Sequence, residues 1–193
     1  ALQLQTLQQF QALLTLAIQA TTSYRNMALK ARFIPKNPGK YLGNPNMIIC
    51  RSSWELSVCK FFDTHPSVYK WGSEEISIPY VKPTDGKVHR YYPDFIVVYK
   101  DKEGNLIKEL VEVKPMKESV LTERSSNYDK ISIAINHAKW QAAQAFCEAN
   151  GMKFRVLTEQ SIFAGGKTAE KKRRTRSTTG TKPNKKTGER KSK

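Results

Sequence analysis

Apolar residues in this chain recur at helical spacing in three segments, with strand-like runs between the second and third. In the uncharged, Leu/Gln-rich residues 1–22, Leu7, Phe10, Leu14, Ala17 and Ile18 recur at helical spacing and predict a helix with one apolar stripe. Such a stripe docks on its own domain, on a partner, or on a second copy to make an oligomer; the pattern leaves these open. Pro35, Pro38, Gly39, Gly43 and Pro45 punctuate residues 33–45, which reads as a linker or wrapping loop. A second helix is expected from about Ser52 to Asp63, with Ser52 or Ser53 as its N-cap. At 100° per residue, Ser53, Ser57, Lys60 and Thr64 form its solvent side, while Glu55 falls between Phe62 and Cys59 within the apolar stripe.

Extended runs follow at Val68 to Trp71 and Ile76 to Tyr80, then a longer one reaching Tyr99 and another from Leu106 to Lys114: four strands after one helix. From about Asn127 to Asn150, Ile131, Ala134, Ile135, Ala138, Ala142, Ala145, Phe146 and Ala149 keep a 3.6-residue period, and Gly151 is placed to end that helix. Phe154 and Val156 read as one more strand. After Gly165 and Gly166 the apolar period stops, and a segment so poor in apolar surface cannot offset its ordering entropy, so disorder is expected. The chain thus divides into a helical extension at 1–32, a linker at 33–45, a domain at 46–166 and a basic low-complexity tail at 167–193.

At 193 residues, one core with tails is expected. The net charge of +16 is unevenly placed: six basic residues and no acid precede Glu55, and twelve basic against two acidic residues follow Gly166. Cationic flanks around a neutral middle favour a polyanionic partner, nucleic acid ahead of an anionic membrane surface, although a basic tail also serves as a solubilising appendage. Cys50, Cys59 and Cys147 are odd in number, lie in apolar company and lack paired spacing, which predicts reduced, packed thiols in a cytosolic protein. His65, His89 and His137 are scattered and form no ligand cluster. No stretch has the length and apolarity of a membrane span or the layout of a secretory signal, so a soluble protein is expected.

The turn-forming residues Asp101 to Asn105 lie between two β-rich runs and predict a hairpin in which Lys100 faces Leu106. That register sets Asp94 directly across from Glu112, with Cβ atoms roughly 5 Å apart, and puts Lys114 on the same face. Opposed like charges are unfavourable on a sheet, and a shared divalent cation is a common reason for them; a one-residue slip would instead send the two to opposite faces. Glu55 supplies a third carboxylate, either directed into a functional cavity or paired with a buried base.

Glu55 on the first domain helix, Pro93-Asp94 opening a strand and Glu112-Val113-Lys114 ending the next match the order of the PD-(D/E)xK nuclease superfamily. Longer strings narrow the resemblance: RSSWEL from Arg51, WGSEEISIPY from Trp71, RYYPDF from Arg90 and VEVKP from Val111. Together they resemble the head completion nucleases of T-even-type tailed phages and, more distantly, TnsA-type transposase endonucleases, over roughly Pro38 to Leu157. The resemblance implies an α/β, restriction-endonuclease-like core, a mixed central sheet flanked by helices, with metal-dependent cleavage of double-stranded DNA.

It further implies that Asp94 and Glu112, with the Val113 carbonyl, hold Mg2+ or Mn2+, that Lys114 orients the attacking water or offsets phosphate charge, and that Glu55 reaches a second metal directly or through water. Lys87, His89, Arg90 and Lys117 flank this site and are candidates for DNA phosphate contacts, as are Lys171, Lys172, Arg173 and Arg174 in the tail. Trp71 and Tyr91 are candidates for stacking on bases, or core aromatics. Gln141, on the polar side of the long helix, lines the site or is simply solvated. The implied role is completion of the phage head: processing packaged DNA ends or closing the filled head at the portal and neck, in the virion and in the host cytoplasm during assembly. Two alternatives remain at this point: a virion neck component that uses the fold for binding DNA and neighbouring proteins, and a TnsA-like or junction-resolving nuclease.

Overall fold

The computed structural model describes residues 28–159. The helix expected at residues 1–22 and the basic tail, with Lys171, Lys172, Arg173 and Arg174, lie outside the described residues. In chain order the elements are β1 (Ala28–Arg32), β2 (Ile49–Ser52), α1 (Ser53–Thr64), β3 (Val68–Ser73), β4 (Ile78–Val81), β5 (Val88–Tyr91), β6 (Phe95–Lys100), β7 (Leu106–Val113), α2 (Asn127–Ala149) and β8 (Lys153–Leu157). Strands β3, β6, β7 and β8 form a sheet in that order, antiparallel except for the parallel pair β7–β8, which the α2 crossover makes possible. Pairs β1–β2 and β4–β5 form separate antiparallel ribbons. This is the mixed central sheet flanked by helices that the family resemblance implies.

Successive residues of a strand point to opposite faces, and β7 shows what each face meets. Val111 and Val113 pack with Trp54, Val58 and Phe62 of α1 and with Trp71 and Phe95 of the sheet. Leu110 packs on the other side with Ala143 and Cys147 of α2 and with Tyr80 and Tyr91 of the β4–β5 ribbon. Both faces being covered, every residue from Glu109 to Val113 is buried, as in the centre of a two-sided sheet. The faces divide the labour, because the even-numbered residues at this end of the sheet point toward α2.

Both helices start where their capping chemistry dictates. Ser52 caps α1 by accepting the Glu55 N–H at 3.1 Å. Ser126 and Asp129 form a reciprocal capping box on α2, and Gly151 just beyond its end has φ of 62°, a conformation glycine adopts without strain. The three cysteines are buried and reduced, with Cys50 and Cys59 sulfurs 3.5 Å apart. No described helix is long and apolar enough to cross a membrane.

Four expectations change. Residues 28–32, assigned from the sequence to a helical extension, are a strand, because pairing with β2 satisfies their backbone. The run expected to be one long strand to Tyr99 is two strands in different sheets, broken around Tyr92 to Asp94, where Pro93 cannot donate to a ladder. Five strands therefore lie between the two helices. Of the two readings of the proline- and glycine-rich segment, linker or wrapping loop, the structure has the second: Phe33 and Tyr41 enter the core and the backbone N–H groups of Lys36 and Asn37 donate to Asp63 at 2.7 and 3.0 Å, so Ser57, expected on the solvent side, is buried. Finally, α2 is rotated relative to the expected stripe: Ile133, Asn136, Ala143 and Cys147 are its buried line, while Ile131, Ala134, Ala145 and Ala149 face solvent. Alanine carries too little apolar surface to orient a helix, so packing of Ile133 and Cys147 decides.

Candidate active site

The β6–β7 hairpin has the expected register: Lys100 opposes Leu106 and Phe95 opposes Val111, so the next step brings Asp94 opposite Glu112. Asp94 lies just before β6, and its Oδ2 accepts the Val113 N–H at 2.7 Å, which ties the carboxylate to the end of β7. Glu112 is 5% exposed; its Oε2 accepts the Tyr91 hydroxyl at 2.8 Å, and its Oε1 lies 3.7 Å from the Lys114 ammonium. Glu55 arrives from the first turn of α1, where its carboxylate accepts the Arg51 N–H at 2.8 Å. All four residues named from the sequence thus converge where β6 begins and β7 ends.

Charge is costly here. Burial, then repulsion from Glu112 and from Glu55, push the Asp94 carboxyl well above the usual aspartate range, against the Val113 N–H and Lys114. Burial likewise raises Glu112, in spite of Lys114 and the Tyr91 hydroxyl. Tyr91 is raised by burial and by Glu112, so its phenol stays a proton donor to that carboxylate. Two coupled carboxylates that resist ionisation together are in the condition that a cation relieves.

The donor set fits a hard divalent ion. No three His, Cys, Asp or Glu side chains among the described residues close into a metal cage by themselves, and His65, His89 and His137 have separate partners in the Ser67 N–H, Asp85 and the Ser119 carbonyl. Two neighbouring carboxylates beside a solvent-open cleft are the sparse oxygen ligation, completed by water, that Mg2+ accepts. The cleft measures about 560 Å³ and is lined by Arg51, Glu55, Lys114, Lys117 and Glu159, among others. Glu159 is itself anchored there, accepting the Met116 N–H at 2.6 Å.

The proposed DNA contacts are not brought to one place. Lys117 borders the cleft, whereas Lys87, His89 and Arg90 lie on β5 or just before it. Lys87 and Arg90 are exposed, and His89 is held by Asp85 at 3.0 Å. Neither proposed stacking residue presents a ring to solvent: Trp71 is fully buried among Phe33, Tyr41 and Phe62, and Tyr91 is 4% exposed beneath α2. Gln141 is exposed on α2.

Two further cations lie near the site. Arg51 forms an ion pair with Glu74 beside the cleft and is electrostatically coupled to Glu55 and Asp94. Lys139 projects from α2 over the Tyr80 and Tyr91 rings, 5.8 and 5.7 Å from their centroids. Its signal was present in the sequence, since Ile135, Lys139, Ala142 and Phe146 share one row of the helix, three apolar and one charged.

Comparison with known proteins bears on these features. The family described as TnsA-like endonuclease N terminal matches residues 65–159, which include Asp94, Glu112 and Lys114. The chain is 35% identical over 150 residues to the head completion nuclease of Enterobacteria phage T4, a match covering 72% of this chain and 97% of that protein. No solved structure matches significantly. On the strength of that near-complete coverage, this chain belongs to the family of the phage head completion nuclease and carries a TnsA-like endonuclease domain.

Proposed function

We propose that this protein is a metal-dependent DNA endonuclease that processes packaged DNA ends, or completes the filled head, at the portal and neck of a phage virion. The observation that carries the chemistry is the convergence of half-buried Asp94 and buried Glu112, with Lys114 3.7 Å from Glu112. Asp94 and Glu112, with the Val113 carbonyl, are the residues that would hold Mg2+ or Mn2+, and Glu55 would join through water. Such an ion, when bound, lowers the pKa of a water and polarises the scissile phosphate.

The chain's own residues do the rest. Lys114, its ammonium steadied by Glu112, is placed to orient the attacking water and to donate to a non-bridging phosphate oxygen as negative charge grows there. Tyr91 holds one Glu112 oxygen, leaving the other facing Lys114. The Val113 N–H fixes the rotamer of Asp94. Lys117, at the cleft rim, and the tail's twelve basic residues supply contacts with phosphates that position DNA without reading its sequence. The name of the T4 relative, head completion nuclease, supports a role in phage assembly; portal, neck or other virion proteins are the partners of this reading, with assembly in the host cytoplasm.

The direct test incubates purified protein with linear and branched duplexes in Mg2+, Mn2+ or EDTA, beside Glu112→Ala. Metal-dependent cutting that the variant lacks is the expected result. Tight DNA binding with no cutting under any condition would sink the enzymatic reading. Removing residues 167–193 is expected to weaken DNA binding roughly tenfold or more near 100 mM salt and to make the plot of log affinity against log salt shallower by several units, since each phosphate contact contributes about 0.9. An unchanged slope would show that the tail does not touch DNA.

A further inference from the structure

We propose that Lys139, together with Lys82, forms a second phosphate subsite on the β4–β5 side of the carboxylate site, holding a backbone phosphate next to the scissile one. The inference rests on the nuclease reading and adds to it a residue outside the PD-(D/E)xK constellation.

Lys139 is half-buried in the middle of α2, in a row of otherwise apolar residues facing the sheet and the β4–β5 ribbon. Its ammonium lies over two tyrosine faces, 5.8 Å from the Tyr80 centroid and 5.7 Å from the Tyr91 centroid. Ring faces attract a cation without neutralising it. Among the described residues no carboxylate comes within ion-pair distance of Lys139, although Lys114, Lys82, Arg51 and Arg155 each have one that close.

The surrounding charges decide what it serves. Glu112 and Asp94 attract Lys139, but Lys114 and Lys82 repel it. A lysine meant only to balance Glu112 would be redundant, because Lys114 already approaches that carboxylate at 3.7 Å. An ammonium that is partly withdrawn from water and feels two other cations is unfavourable until an anion joins it. Lys82 adds reach: its side chain is about one-third exposed, and its contact with Asp85 is a long 3.8 Å. A phosphodiester resting between Lys82 and Lys139 would meet both ammoniums with the reacting carboxylates next to it. Held there by its neighbour, the scissile phosphate is oriented before any bond changes, which is the contribution of a positioning residue.

The test uses the full-length protein and Lys139→Met, which keeps the aliphatic stem over the rings and removes only the charge. Fluorescence anisotropy with a labelled linear duplex in EDTA, across 50 to 300 mM salt, reads the contact without any metal. Expected are an affinity several-fold lower near 100 mM salt and a log–log slope shallower by about 0.9, with Lys139→Arg retaining the wild-type slope. In Mg2+, KM should rise by a larger factor than kcat falls. A charge acting only inside the protein would leave the salt slope unchanged, and that result overturns the proposal. Wild-type protein that cleaves while Lys139→Met binds and cleaves like it also removes the subsite and leaves the nuclease standing. Wild-type protein that binds with the Lys139-dependent slope but never cleaves removes the enzymatic reading instead. Should Lys139→Met melt early, Lys82→Met, at a partly exposed position just beyond β4, reads the same subsite: a slope lowered by about 0.9 supports it, and an unchanged one overturns it.

Discussion

Replacing Asp94 with asparagine is expected to destroy cleavage and at the same time stabilise the metal-free protein. The loss should be at least about a thousandfold, roughly 4 kcal/mol of transition-state stabilisation, since the carboxylate proposed to hold the ion is gone. The gain follows from what the charge costs the fold. Asp94 is raised by burial and by Glu112, and Glu112 is raised by burial in turn. The folded protein therefore holds protons on these groups that the unfolded chain releases above about pH 4. Their contribution to stability is fully present below that pH and is lost as pH rises through the elevated folded values. Asparagine keeps an oxygen for the Val113 N–H and removes the charge.

In EDTA at neutral pH, Asp94→Asn should gain about 1–2 kcal/mol, a rise of roughly 3–8 °C in Tm, and its stability should decline less than wild type's between acid and neutral pH. Mg2+ should raise the wild-type Tm and leave the variant's almost unmoved, because only a ligand of the folded state stabilises it. Retained cleavage in the variant would dismiss the proposed site. A Tm below wild type in EDTA would dismiss the account of repulsion.

Arg155→Met should produce the largest loss of stability for a single change outside the site. Its Nε donates to Glu109 at 2.7 Å across the parallel β7–β8 pair, and Glu109 is 2% exposed. Burial already raises the Glu109 pKa against the pull of Arg155, with the Tyr99 hydroxyl also bonded to it. Without arginine the carboxylate is either charged and uncompensated or protonated at a cost, and breaking one side of a buried pair typically costs about 3–5 kcal/mol. Glu109→Gln combined with Arg155→Met should recover most of that, because the amide is neutral and still accepts from Tyr99. Urea melts of the single and double variants measure this; a single-variant loss below about 1 kcal/mol would show the pair to be dispensable. Folded protein should keep its cleavage, since Glu109 faces α1 and lies three residues, about 10 Å, along β7 from Glu112.

The sequence by itself determined the features whose physics is local. Turn formers at Asp101 to Asn105 set the register of the β6–β7 hairpin, and that register, with the two-residue period of a strand, aligned Asp94, Glu112 and Lys114 before any long-range contact was known. Serines at 52 and 126 located the helix starts, and the VEVKP and RYYPDF strings carried the family.

Tertiary structure alone decided the features that depend on which surfaces meet. Ser57 reads as solvated until the segment holding Phe33, bonded to Asp63 through Lys36 and Asn37, covers that side of α1. The alanine-rich α2 has several plausible apolar faces, and the sheet chose the one led by Ile133, Asn136, Ala143 and Cys147. That choice turned Lys139 toward Tyr80 and Tyr91. Proline 93 marked a break that local pattern could suggest, but the separation of β5 from β6 into different sheets brought the Tyr91 hydroxyl to Glu112. A strand's period belongs to its own backbone, whereas the environment of a charged side chain is set by elements dozens of residues away, and only folding brings those together.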